Sequence, residues 1–170
     1  MNRLYAPWRT QYAQDSDAPT KQASAHGADC VFCIALAAQN DDHYYVLKRY
    51  KHNAILLNTF PYNAGHLLII PYAHVAALEA LTAEIRAETM EIINEATILL
   101  QKALNPDGFN IGINLGKAAG GSIPSHIHTH LLPRWTGDTS FLPLLSNTKP
   151  ISIDLQQLFK QLQSMLHASP

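Results

Sequence analysis

Charge is scarce in this 170-residue chain: Asp, Glu, Lys and Arg make up 15% of it, against about 25% in an average globular domain. The two signs nearly balance, for a net charge of −1. No basic excess is available to grip a phosphodiester backbone, so nucleic acid is not an expected partner. Long apolar runs are missing too. The longest, around Leu67–Pro71, falls far short of the roughly 20 residues that a membrane span needs, so no membrane is expected either. The first eight residues hold no apolar stretch of the secretory kind, which leaves a cytoplasmic protein as the expectation. Cysteine occurs only twice, too few for a disulfide framework. Hydrophobic residues, by contrast, reach 47%, which excludes a disordered chain. At this length one domain buries roughly 70% of its unfolded surface and needs no staples.

Residues 1–29 read as an N-terminal arm, with Tyr5, Trp8 and Tyr12 around Pro7 and then a polar stretch containing Pro19 and Gly27. Residues 30–170 read as a single domain. A short helix is expected over 30–39, ended by Asn40-Asp41-Asp42, then strands over 44–50 and 54–58. A turn with Pro61, Asn63 and Gly65 joins the second of these to a strand at 67–70, as a hairpin. Residues 82–104 carry apolar side chains at helical spacing, with Thr82 as cap and Glu84 at the positive end of the dipole. Strands at 109–115 and 127–133 flank a Gly-rich loop at 117–125, and a short C-terminal helix covers 155–166. This order predicts an α+β domain with an antiparallel sheet of about five strands, one long helix and a short C-terminal helix, rather than a doubly wound fold. No glycine motif of the Rossmann or P-loop kind is present, and no organic cofactor is expected.

His126, His128 and His130 stand at alternate positions. With nine histidines scattered at random over 170 residues, such a triplet arises about 0.02 times. In a strand the three share one face, and Ile127, Thr129 and Leu131 take the other, toward a core. At an ordinary pKa near 6.5, roughly three quarters of a histidine is neutral at pH 7, and a neutral imidazole is a nucleophile and a metal ligand. A lone histidine here would read as an ordinary half-exposed side chain. Three of them just after Gly120-Gly121-Ser122 read as a site, because a Gly-rich turn offers backbone N–H groups to phosphate oxygens. Phosphoryl or nucleotidyl transfer follows from that pairing. The rival, a metal held by all three, suffers because neighbouring positions on one strand face rarely converge on one ion.

His126-Ile127-His128-Thr129-His130-Leu131-Leu132 resembles the histidine triad (HIT) motif, His-φ-His-φ-His-φ-φ with φ hydrophobic, with Thr129 departing at one φ position. Leu56-Leu57-Asn58, the stretch from Pro61 to His66, Ile70-Pro71-Tyr72-Ala73-His74, the stretch from Asp107 to Asn114, and Pro133-Arg134-Trp135 resemble family segments too. The resemblance implies a HIT-like fold and an enzyme acting on the α-phosphate of a nucleotide. It makes His128 the nucleophile of a covalent nucleotidyl-histidine and sets His130 and Asn114 around the phosphate. It also implies Asn58 near the ribose, Leu56 and Leu68 in the base pocket, and His66 as a structural residue nearby. N–H donors near Gly121 and Ser122 would then stabilise the charge of the transition state.

Cys30 and Cys33 are spaced C-x-x-C. A disulfide does not suit a cytoplasmic protein, a thioredoxin-like pair wants a βαβ context, and zinc wants two further ligands, so the spacing alone leaves the question open. Read alone, His74 is a surface histidine at a helix cap. The HIT resemblance implies a structural zinc held by Cys30, Cys33, His74 and His126. The longer loop from Asn114 to Ser122, its Gly-Gly-Ser and Trp135 look like a bacterial branch that contains diadenosine tetraphosphate phosphorylases. Trp135 and Ser122 then join the nucleotide and phosphate contacts, and phosphate or water resolves the intermediate. A nucleoside phosphoramidase and a non-enzymatic nucleotide-binding module are the alternatives. The family also implies a homodimer through the long helix and the strand after it, with Ile92, Ile93, Leu99 and Leu100 as an apolar stripe in excess of the core. The aromatic arm would reach across to the partner.

Overall fold

Asn53–Leu57 and Leu67–Pro71 are buried at every position, the pattern of strands covered on both faces. They form the centre of a sheet in a computed structural model that describes residues 29–139 and 149–168. In chain order the elements are α1 (Val31–Ala37), α2 (Asp41–Tyr44), β1 (Val46–Arg49), β2 (Asn53–Leu57), β3 (Leu67–Pro71), α3 (Ala83–Leu104), β4 (Gly108–Ile113), β5 (Thr129–Arg134) and α4 (Leu155–Ala168). The five strands pair antiparallel in the order β1-β2-β3-β5-β4. This is the expected α+β class with its long helix and C-terminal helix. The arm, with Tyr5 and Trp8, lies outside the described residues.

Helices α3 and α4 cover one face of the sheet. Ile92, Ile93, Leu99 and Leu100 of α3 pack there with Ile55, Leu57, Leu67 and Leu131, and α4 closes the layer with Leu158, Phe159 and Leu162. The stripe expected to exceed the core is therefore core throughout. The sequence reading undercounted the cover because α4 packs on both α3 and β1. The apolar side chains that α3 and β4 leave outside are others: Met90, Ile98 and Ile111. Helix α3 starts as expected, with the Thr82 hydroxyl accepting the Ile85 N–H, and ends at Asn105 in the left-handed region.

Helix α1 covers the opposite face. Its Phe32, Ala35 and Leu36 pack on Val46, Ala54, Leu56, Leu68 and Ile70. Arg49 pins the end of α1 to the sheet, donating to the carbonyls of Leu36 and Ala38 and to the Asp41 carboxylate, which satisfies acceptors that a helix end leaves open. Asn40-Asp41-Asp42, expected to end a helix, starts α2 instead: the Asn40 side chain accepts from the His43 N–H at 3.3 Å. The strand expected over 44–50 is shortened for that reason. Gly65 closes the β2–β3 hairpin at φ +73, and a Cβ there would lie 2.6 Å from Leu104 Cδ1, so both backbone and packing demand glycine just ahead of His66.

Candidate active site and metal centre

Register gathers the expected residues on the α1 face. Leu56 pairs with Leu68, Leu68 with His130, and His130 with Gly112. Side chains two apart share a face, so Asn58, His66 and Asn114 lie on it as well. Only His130 of the three alternating histidines sits in the paired part of β5. His126 and His128 precede the ladder, in a segment held by the Ile127 N–H donating to Val75 O at 2.7 Å. They still face α1: the Phe32 ring lies 4.9 Å from the His128 ring and 5.6 Å from that of His126.

Hydrogen bonds fix the tautomer of each imidazole. His128 Nδ1–H donates to the carbonyl of His126 at 2.8 Å, so Nε2 carries a free lone pair. Burial pushes His128 down from its ordinary pKa, opposed by that bond. A neutral imidazole with its outer nitrogen unprotonated is a nucleophile at neutral pH. The backbone N–H of Tyr62 donates to His66 Nδ1 at 3.1 Å, and Asn58 Nδ2 lies 3.1 Å from the same nitrogen. His66 therefore carries its proton on Nε2 and donates it to His130 Nδ1, 2.9 Å away. That leaves the proton of His130 on Nε2, a buried donor without a partner among the described residues. Burial first, then the neighbouring imidazoles, push His66 down to about 3 and His130 down to about 4. The site thus holds a lone pair on His128 beside an N–H on His130, their rings 4.9 Å apart.

The other expected residues divide. Leu56 and Leu68 are buried in the layer under α1. The Asn58 carboxamide is engaged within its own loop, its oxygen accepting the Phe60 N–H at 2.9 Å, so it touches the site through His66. Gly121 returns onto Asn114: a Cβ on it would lie 3.4 Å from that of Asn114. Ser122 is exposed, and its neighbour Ile123 packs against the layer under α1, which keeps the loop on the histidine face. Trp135 follows the far end of β5, on the order of 20 Å along the strand from His128. Its backbone N–H is tied to Asp138, and one chain does not bring it to the histidines. The sequence reading overlooked Phe32, and it gave His66 a structural role without the link to His130. Phe32 lies between Cys30 and Cys33 in the sequence, and its ring packs edge-on against those of His126 and His128.

At the other end of the triad, Cys30, Cys33, His74 and His126 converge, each offering a ligand atom within 4.8 Å of the rest. His126 Nδ1 lies 3.4 Å from Cys30 Sγ, 3.5 Å from Cys33 Sγ and 3.2 Å from His74 Nδ1. A tetrahedron with metal–sulfur near 2.3 Å and metal–nitrogen near 2.0 Å has edges of about 3.3–3.8 Å, so these side chains fit a small cation with little movement. His126 Nε2–H donates to Pro71 O at 2.9 Å, which leaves Nδ1 as the ligand atom and supplies the outer hydrogen bond typical of a metal-bound imidazole. Burial and the Cys30 sulfur push the Cys33 thiol up to about 11. The four residues can hold a metal ion, with thiolate and imidazole donors that suit zinc.

An imidazole with a free lone pair and a Cys₂His₂ cluster thus share one sheet face of an α+β domain, under a short helix. The HIT domain family matches residues 39–137. The AP-4-A phosphorylase of Mycobacterium tuberculosis is 37% identical over 152 residues, which cover 89% of this chain and 77% of that protein. The asymmetrical bis(5′-nucleosyl)-tetraphosphatase of Schizosaccharomyces pombe is 33% identical over 95 residues, 56% of this chain and 52% of that one. Among solved structures, a zinc-bound histidine triad family protein from Mycobacterium smegmatis superposes with a TM-score of 0.66 at 27% identity, covering 82% of this chain and 94% of its own. The chain belongs to the HIT family. Among the described residues, no helix is long and apolar enough to cross a membrane.

Proposed function

We propose that the protein cleaves dinucleoside polyphosphates at the α-phosphorus through a covalent nucleotidyl-histidine on His128. The observation that carries this reading is the complementary pair: a free lone pair on His128 Nε2 beside the unpartnered N–H of His130. In the first step Nε2 attacks the α-phosphorus, and the bond to the bridging oxygen of the leaving polyphosphate breaks. His130 Nε2–H donates to the oxygens that gain charge, joined by backbone N–H groups of the loop at Gly121 and Ser122 with Asn114 beside it. Leu56 and Leu68, under Phe32, line the side that takes the base. In the second step an oxygen nucleophile takes the nucleotide from His128 and frees Nε2. The similarity to an AP-4-A phosphorylase over most of the chain supports inorganic phosphate as that nucleophile.

Zinc is the proposed occupant of the cluster at Cys30, Cys33, His74 and His126. When bound it supplies structure, holding α1 to the start of the histidine segment. A homodimer completes the reading. Strand β4 is an edge with open hydrogen-bonding groups, and beside it a cavity of about 570 Å³ is lined by Met90, Ile93, Ile111, Ile113, Leu115 and Ile127. Pairing of two such edges would cover Met90 and Ile111, which are 63% and 51% exposed.

Incubating the protein with diadenosine tetraphosphate, with and without inorganic phosphate, tests the reading. ADP plus ATP, formed only with phosphate, is the expected result. AMP plus ATP would make water the acceptor, and two ADP would refute attack at the α-phosphorus. AMP binding without any product would make the protein a nucleotide-binding module. Turnover of an adenosine phosphoramidate in preference to the dinucleotide would make it a phosphoramidase.

A further inference from the structure

A dinucleoside substrate carries two bases, and only one of them belongs to the nucleotide that His128 would hold. The second leaves with the polyphosphate. The unpartnered N–H of His130 is the donor that this reading sets on the reacting phosphate. The side chain that caps His130 is Tyr62. Its ring stacks on the His130 ring at 5.8 Å and 27°, leans over His66 at 4.8 Å, and remains 55% exposed. Two residues earlier, Phe60 is 84% exposed, the highest value among the large hydrophobic residues described. Its position is not slack: its backbone N–H is held by the Asn58 side chain, and the backbone N–H of Tyr62 is held by His66. The β2–β3 hairpin therefore carries two exposed aromatic side chains on anchored backbone, one of them stacked on His130. An exposed Phe beside a Tyr costs hydration free energy, and a flat aromatic partner recovers it.

We infer that Phe60 and Tyr62 form a stacking subsite for the nucleobase of the departing nucleotide, and so set a preference for dinucleoside over mononucleoside polyphosphates. The inference rests on the reading of His128 and His130 given above. Its ligand is any purine or pyrimidine carried on the leaving polyphosphate. Stacking of a base on an aromatic side chain is worth about 5- to 150-fold in affinity, and an open rim lies at the lower end.

The test compares kcat/KM for diadenosine tetraphosphate and for adenosine 5′-tetraphosphate, which has the same phosphate chain and no second nucleoside. In Phe60→Ala the ratio of the two values is expected to fall about tenfold, about 1.4 kcal/mol. Phe60→Trp is expected to hold or raise it. Tyr62→Leu keeps the backbone N–H to His66 and is expected to lower the ratio in the same direction. A ratio within twofold of wild type in both Phe60→Ala and Tyr62→Leu overturns the subsite while leaving the catalytic reading intact. A wild-type protein that turns over neither substrate overturns the catalytic reading, and the subsite with it.

Discussion

Replacing His66 by Leu should disable His130 without touching it. His66 is fully buried and relays one hydrogen bond into another, from the Tyr62 N–H to Nδ1 and from Nε2–H to His130 Nδ1. Leucine fills similar space but neither accepts nor donates. The Tyr62 N–H and the Asn58 amide lose their acceptor at the part-buried edge of the site, where water takes its place, while the buried His130 Nδ1 loses its donor; a buried polar group left unpaired costs about 1–3 kcal/mol. This predicts a loss of about 1–3 kcal/mol in stability, or roughly 2–4 °C of Tm for each kcal/mol in a domain this size. The functional effect is separate. His130 Nδ1 loses its donor, so nothing holds the proton of that ring on Nε2. The same 1–3 kcal/mol, now lost from the orientation of the catalytic donor, predicts a fall of about 5- to 150-fold in kcat/KM with diadenosine tetraphosphate. His66→Gln provides the control. Its amide oxygen can accept from Tyr62 and its amide nitrogen can donate to His130, so it should recover most of the activity. Long-range ¹H–¹⁵N correlation spectra read the proton directly: on Nε2 of His130 in wild type and His66→Gln, distributed over both nitrogens in His66→Leu. Wild-type kcat/KM in a folded His66→Leu protein, or a His130 proton on Nδ1 in the wild type, would refute the relay.

His128→Asn is expected to abolish turnover while AMP binding stays within about tenfold, or 1.4 kcal/mol, and nucleotide trapped on another residue would exclude His128 as nucleophile. Elemental analysis should find one zinc per chain in the protein as purified and none in Cys33→Ser; His74→Ala should lower Tm, and a variant with unchanged Tm and metal content would remove His74 from the ligand set. Burial and neighbouring imidazoles hold His66 at about 3 and His130 at about 4, so between those values and 6.5 the unfolded chain binds protons that the folded one excludes. Stability is then complete above about pH 7 and falls as pH drops from 6.5 toward 4; calorimetry across that window should show a falling Tm, and a flat profile would contradict the two assignments. Light scattering at micromolar concentration should give twice the 18.8 kDa chain mass, and Met90→Glu should return it to one; a wild-type mass near 18.8 kDa would exclude the dimer.

The strands, the long helix and its cap were legible because they depend on local rules. Thr82 stands where a cap must stand, and Ala54 to Leu57 and Leu67 to Ile70 are apolar runs of strand length around a turn marked by Pro61 and Gly65. Asn40 misled because the same residue type ends one helix and begins another, and no spacing rule tells which. The destination of the α3 stripe was illegible for a different reason. Whether Ile92 and Leu99 are core or surface depends on where α4 docks, a contact between residues some 60 positions apart that periodicity cannot express. At the site, alternation sufficed for the shared face of the histidines, and register then carried Leu56, Leu68 and Asn114 to it. The His66–His130 bond was hidden because it joins the end of a hairpin turn to β5 through ring nitrogens, whose roles follow only from the Tyr62 N–H.

His126 ties the two halves of the site together. Its ring nitrogens face in different directions, Nδ1 toward the two sulfurs and His74, Nε2 toward the Pro71 carbonyl, while its own carbonyl accepts from His128. Those three contacts fix the ring, the peptide and, through the peptide, the tautomer of His128. The segment carrying them lies outside the paired ladder, so the sheet does not hold His128 as it holds His130. What holds it is the Ile127 N–H to Val75, the Phe32 ring and the cluster around His126. A metal in that cluster would therefore contribute to catalysis by geometry alone. It would lock α1, the segment after β3 and the approach to β5 at one point, two residues before His128. The lone pair on His128 Nε2 exists only while the opposite nitrogen keeps its acceptor, so the placing of the His126 carbonyl decides it.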